Sequence, residues 1–195
     1  MPMKVFCRKG CLFLTLAIFA TTLSACTGLS KQAKATSDGI SIEYNGGAKN
    51  SELAMRHILL KITDDRSNKD IVGRGFGAPY INDQESIDDV FSNAVIQLLS
   101  NRGAQVSKVT NTEKESGNSD FQLSIKIKTF SLDFNFGKWI GVVRYDYAVT
   151  KDGKIICEQS IKEKSIVFNL YGYGSAEEAI NEVFNKAING LKFCA

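Results

Sequence analysis

The stretch FQLSIKIKTFSLDFNF, residues 121–136, decides the fold. Its first half alternates Phe121, Leu123, Ile125 and Ile127 with polar or charged neighbours, the two-residue period of a half-buried strand. From Phe130 the apolar parity moves by one residue, to Phe130, Leu132, Phe134 and Phe136. Such a slip would turn core side chains to solvent, so a β-bulge or sharp bend is expected near Lys128-Thr129. Downstream, Val143, Tyr145, Tyr147 and Val149 alternate again, and Lys151-Asp152-Gly153-Lys154 carries the Asp-Gly pair favoured in tight hairpin turns. A returning strand is expected from Ile155 through Cys157 and Ile161 to about Phe168. The result is a three-stranded meander with one wet face.

Two amphipathic helices flank this meander. Ile87, Val90, Phe91, Ala94, Val95, Leu98 and Leu99 form a wide apolar stripe at 3.6 residues per turn, with Asn82 and Glu85 as the expected capping pair and Gly103 as the stop. The second stripe is Ala179, Ile180, Val183, Phe184, Ala187, Ile188 and Leu191, capped by Ser175 and Glu178. A first strand is expected over residues 55–63, broken by Asp64-Asp65-Arg66-Ser67-Asn68, and a short one over Ala104–Val109, before a polar loop at 111–119. The fold class is therefore α/β in the α+β sense. An antiparallel or mixed sheet of about four to five strands should carry both helices on one face.

The N-terminus has the three parts of an export signal: basic Lys4, Arg8 and Lys9, an apolar run from Cys11 to Ala20, then Thr21–Ala25. The run is shorter than the roughly 20 residues needed to span a bilayer. Leu23-Ser24-Ala25-Cys26 resembles the bacterial lipobox, whose cysteine receives diacylglycerol and an N-acyl chain such as palmitate. The duller alternative is an ordinary secretory signal whose cleavage site precedes a cysteine. The expected organisation is a signal peptide over 1–25, a lipidated polar tether over 26–52, in which Ile40-Ser41-Ile42-Glu43-Tyr44 has the pattern of one short strand, and one globular domain over 53–195. Thr27, rather than Asp, after the lipidated residue resembles enterobacterial sorting to the outer membrane, facing the periplasm.

Removing the signal changes the charge reading. All three basic residues of the leader depart, so 21 of the 24 remain, against 21 acidic residues. A balanced surface has no large positive field, and nucleic-acid binding is demoted. With 44% hydrophobic and 23% charged residues and two prolines, the composition is that of an ordinary globular chain.

Once Cys7 and Cys11 have left and Cys26 is lipidated, Cys157 and Cys194 remain. In an oxidising compartment they are a candidate disulfide, and closing a loop of about 38 residues would contribute roughly 4 kcal/mol on the loop-entropy view. The alternative is two buried, inert thiols. Two cysteines and one histidine offer no metal-ligand spacing, so neither a metal nor a cofactor beyond the acyl chains is expected.

Catalytic candidates are weak. His57 lies within a strand without a nucleophile motif nearby, and Gly73-Arg74-Gly75-Phe76-Gly77 lacks the Lys-Ser/Thr ending of a phosphate loop. Asp64, Asp65, Asp70, Asp83, Asp88 and Asp89 lack calcium-loop spacing, and Asp88 and Asp89 suit the first turn of a helix. No catalytic residue is assigned, and the chain is read as a non-enzyme. The aromatics are more informative. Phe134, Phe136, Trp139, Tyr171 and Tyr173 lie near strand ends beside glycines, where a partner or ligand surface can form.

The lipobox, the Asp64-Asp65-Arg66 turn, the helix ending at Arg102-Gly103, the alternating strand Phe121–Ile127, the Asp152-Gly153 hairpin and the C-terminal helix together resemble the YajG family of bacterial lipoproteins, over about residues 55–193. The layout is also similar to auxiliary lipoproteins of envelope lipid-transport systems and to the lipopolysaccharide-assembly lipoprotein. The resemblance implies an α/β envelope domain with no established enzymatic activity and supplies no catalytic residues. The expected function is a membrane-anchored accessory module that binds another envelope protein or polymer. The alternative is an auxiliary of lipid or lipopolysaccharide transport.

Overall fold

The computed structural model describes residues 40–67, 86–109, 119–168 and 174–193. Their elements follow in the order β1 (His57–Asp64), α1 (Ile87–Asn101), β2 (Gln105–Lys108), β3 (Phe121–Asn135), β4 (Lys138–Lys151), β5 (Lys154–Phe168) and α2 (Gly174–Asn189). The strands form one mixed sheet in the order β2-β1-β3-β4-β5. β1 lies parallel to both β2 and β3, while β3, β4 and β5 make the antiparallel meander. Long crossovers, one through α1, allow the parallel pairing, which a hairpin could not connect.

The parity slip of the opening stretch is resolved as expected. The β3–β4 register shifts between Ile127 and Thr129, and Ile127 and Phe130 are both buried on the same face. Both helices cover that face. Phe91 of α1 packs edge-to-face against Phe130 of β3 (5.8 Å between centroids), Tyr145 of β4 (6.0 Å) and Phe184 of α2 (5.2 Å). Such ring pairs add specific geometry to a core otherwise held by burial of aliphatic area.

Helix α1 starts with Ser86 as its cap, whose hydroxyl accepts from the Asp89 amide, with Asp88 and Asp89 in the first turn as expected. The expected pair Asn82 and Glu85 lies outside the described residues. α2 begins at Gly174, so Ser175 stands inside its first turn rather than at its cap. Its direction is fixed by contacts along β4. Gly141 lies against Ala179 and Val183, where a Cβ would come within 2.8 Å of the Ala179 carbonyl. The Tyr145 hydroxyl donates to the Ala187 carbonyl at 2.7 Å, and the Tyr147 hydroxyl to that of Lys192 at 2.8 Å. Thus α2 runs along β4 in the same direction. Its start lies beside the β3–β4 turn and its end beside the β4–β5 turn.

The segment before β1 differs from expectation. The sequence reading placed residues 26–52 in a polar tether and the domain's start at Leu53. Instead Ile40 and Leu53 are both buried in the core, with Ile42 and Tyr44 packed against it. Residues 41–47 form a strap held by Asn181, Asn185 and Asn189, which share one face of α2 at four-residue spacing. The Asn181 side chain accepts from the Glu43 amide at 2.7 Å and donates to the Ser41 carbonyl at 2.9 Å. Asn185 does the same for the Asn45 amide and the Glu43 carbonyl, both at 2.9 Å. The Tyr44 hydroxyl donates to Asn189 at 2.7 Å. A primary amide offers the same donor and acceptor as a backbone peptide, so the asparagines stand in for a neighbouring strand. That satisfies the strap's polar groups where Ile40 and Ile42 need burial.

Candidate functional site

The β3–β4 turn is two residues long. Phe136 and Gly137 both have positive φ, 47° and 71°, the pattern of a turn that matches strand twist. Its residues display aromatic surface at one end of the sheet. Phe136 is 94% exposed and Phe134 is 46% exposed. Phe134 pairs across the strands with Trp139, their rings 4.8 Å apart. Trp139 has the parity of Val143 and Tyr145, which turns it to the helix face, and it is buried at 6% exposure. It lies beside Phe134 on that face, buried rather than exposed.

Two members escaped the sequence reading. Phe168, 75% exposed, ends β5 opposite Lys138, whose ammonium lies 4.6 Å from its ring centroid. Ile166, 47% exposed, pairs with Ile140. Both share parity with Lys162 and Lys164 on the uncovered face of the sheet. Apolar residues at wet positions were the signal available for finding them. Tyr171 and Tyr173 lie outside the described residues.

The opposite end of the sheet is tied down. Asp152-Gly153 forms the β4–β5 turn as expected, with φ of 50° and 74°. Beside it Phe121 meets Phe193 at 5.2 Å, edge to face. Cys157, paired with Val149 and largely buried, is disulfide-bonded. Its partner lies outside the described residues, as do Cys194 and Cys26.

The carboxylates flagged as acid–base or calcium candidates are dispersed into ion pairs. Asp64 receives two hydrogen bonds from the buried Arg66 guanidinium, at 2.8 and 2.9 Å, and Asp65 pairs with Lys128. Asp89 is held below the usual carboxylate range by hydrogen bonds from Lys108 and Ser86. Glu182 is lowered in the same way by Lys186 and Ser165. Glu177 is raised, first by burial and then by the nearby charge of Glu43. Asp70 and Asp83 lie outside the described residues, as does the loop Gly73–Gly77. Among the described residues no three histidine, cysteine or acidic side chains converge as a metal site, and no helix is long and apolar enough to cross a membrane. His57 is exposed at the start of β1, where its amide donates to Asp120. An open depression of about 840 Å³ has walls that include the strap-binding Asn181, Asn185 and Asn189 with Glu163 and Glu182.

The fold has relatives among solved structures. Protein XCC0632 from Xanthomonas campestris, of family DUF330, matches with a TM-score of 0.52 at 10% identity, covering 76% of this chain and 87% of that one. This chain shares its fold. Looser likenesses are to hypothetical protein CT253 from Chlamydia trachomatis (TM-score 0.45, 9% identity, 70% and 92% covered) and to lipoprotein GNA1162 from Neisseria meningitidis (TM-score 0.39, 13% identity, 69% and 99% covered). No sequence family and no curated protein matches the chain.

Proposed function

We propose that the chain is a non-enzymatic lipoprotein of the bacterial envelope, anchored through acylated Cys26 and working as an accessory binding module. The membership in the YajG family suggested by the arrangement of motifs belongs to this reading, as does placement at the outer membrane. The observation that carries it is the aromatic end of the sheet: Phe134, Phe136, Phe168 and Ile166 lie in the open there, whereas the other end exposes only the aliphatic Met55, Ile155 and Ile156 among the described residues. Three exposed phenylalanines at one end are the mark of a contact site. Asp64, Asp65, Asp89 and Glu182 are each engaged in an ion pair, with Arg66, Lys128, Lys108 and Lys186.

A photo-activated crosslinking side chain placed at position 136, and separately at position 61 on the uncovered sheet face, tests this in intact cells. Adducts with envelope components at 136 and few at 61 are expected. Equal yields at both positions would sink the assignment of the aromatic end as the binding surface.

A further inference from the structure

We propose that the aromatic end of the sheet docks on the interface of the lipid bilayer to which the chain is tethered. The inference rests on the anchored-lipoprotein reading and names what the exposed phenylalanines touch.

The direction of the strap is the first argument. Residues 41–47 follow α2 from Asn181 towards Asn189, and Gly47 lies against Leu98 and Asn189. α2 itself starts beside the β3–β4 turn. Ile40, the first described residue, is therefore at the same end of the domain as Phe136. Thirteen residues separate Cys26 from Ile40, small and polar for the most part. A chain of that length reaches at most about 50 Å from Cys26, and β4 alone, at about 3.3 Å per residue, is roughly 45 Å long. On the anchored reading the chain from the lipid enters the domain at the Phe136 end, which makes that end the nearer to the bilayer and the Asp152-Gly153 end the farther.

Chemistry is the second argument. Phe136 at the turn, Phe134 on the helix side and Phe168 with Ile166 on the uncovered side put apolar groups on both sides of one sheet end, with the Lys138 ammonium over the Phe168 ring as a charge that can stay hydrated. This is the composition of a shallow interfacial contact rather than a spanning one. Lys138, Lys162 and Lys164 share the face of Phe168 and Ile166, with Asp133 paired to Ile140 on it; neutral lipid in the test separates the apolar contact from their attraction to anionic headgroups. A contact too weak to hold a free protein suffices here, because the tether makes the encounter intramolecular.

The mature lipidated protein reconstituted into neutral phosphatidylcholine vesicles provides the test, with part of the lipid brominated in its acyl chains. Phe136→Trp and Ile155→Trp place a reporter indole at opposite ends of the sheet, each read against the parent protein with its native Trp139. The added emission from position 136 should be roughly halved by brominated lipid, and that from position 155 unchanged. Flotation of the vesicles reports the anchor independently. Protein that fails to float overturns the anchored reading and this inference with it. Floating protein with no quenching at 136, or with equal quenching at 136 and 155, overturns the docking alone. Crosslinks joining position 136 of two copies, without quenching, would make the occupant a second copy of the chain and refute the bilayer.

Discussion

Phe136 and Asp152 occupy the same place in the two hairpin turns, with φ of 47° and 50°, each followed by a glycine at 71° or 74°. Asp tolerates the left-handed region well because its short side chain can hydrogen-bond locally; a bulky aromatic there is an outlier that costs on the order of 1 kcal/mol. The strain at Phe136 is not offset by burial, since the ring is 94% exposed. At the Asp152 end, sequence and backbone agree, and a disulfide and the Phe121–Phe193 contact fasten the neighbouring chain. At the Phe136 end they disagree, and the side chain is offered to solvent. Folding alone accounts for the Asp152 turn; it does not account for the phenylalanine at the other, which is the contrast that the binding proposal addresses.

The largest test of this contrast acts on the fastened end. Cys157→Ser should lower stability by about 4 kcal/mol with Cys194 as the partner, the value for a loop of about 38 residues. Urea unfolding with and without reductant measures it, and the reduced parent should match the variant. A change below about 1 kcal/mol would remove the disulfide from the account of why that end is rigid. Mass spectrometry of unreduced peptides identifies the partner.

A smaller effect is expected from the strap. Asn185→Ala deletes its hydrogen bonds to the Asn45 amide and the Glu43 carbonyl. A loss of about 1–3 kcal/mol should follow, seen as faster hydrogen exchange at residues 43–47 and cleavage there by added protease. Unaltered exchange would mean that burial of Ile40 and Ile42 holds the strap unaided.

The smallest effects compare the turns themselves. Phe136→Asn should raise stability by about 1 kcal/mol, because Asn accepts the left-handed conformation, while reducing contact with the bilayer. Asp152→Asn should change stability by less than about 0.5 kcal/mol. Thermal melts of the pair decide the matter: a Phe136→Asn variant less stable than its parent would make Phe136 structural and erase the distinction.

Much of the architecture was legible because it follows from side-chain period. The slip between Ile127 and Phe130 required a bulge, and Asp152-Gly153 required a hairpin. The apolar stripes of α1 and α2 required a common face. Parallel pairing of β1 with β3 was not readable, since strand order depends on packing beyond any local window. The stretch 40–44 was legible as a short strand within the tether, but its docking on the second helix was not. Its ordering depends on Asn181, Asn185 and Asn189, more than 130 residues away in sequence. Their four-residue spacing was visible, but it reads equally well as a solvated helix face. Phe134 and Phe136 could be flagged from strand-end position, whereas Phe168 and Ile166 were brought to the same end of the sheet only through their register with Lys138 and Ile140. Trp139 looked like surface until its parity placed it against the helices.

The asparagine ladder also sets how the domain responds to force. Membrane fluctuations or a moving partner would pull on the chain ahead of Ile40, at the end where the strap begins. That load acts along the strap, so the bonds to Asn181, Asn185 and Asn189 are strained together in shear instead of opening one after another as in a zipper. Tension applied to the chain ahead of Ile40 would reach the core as a whole, and would tug the domain without unravelling it.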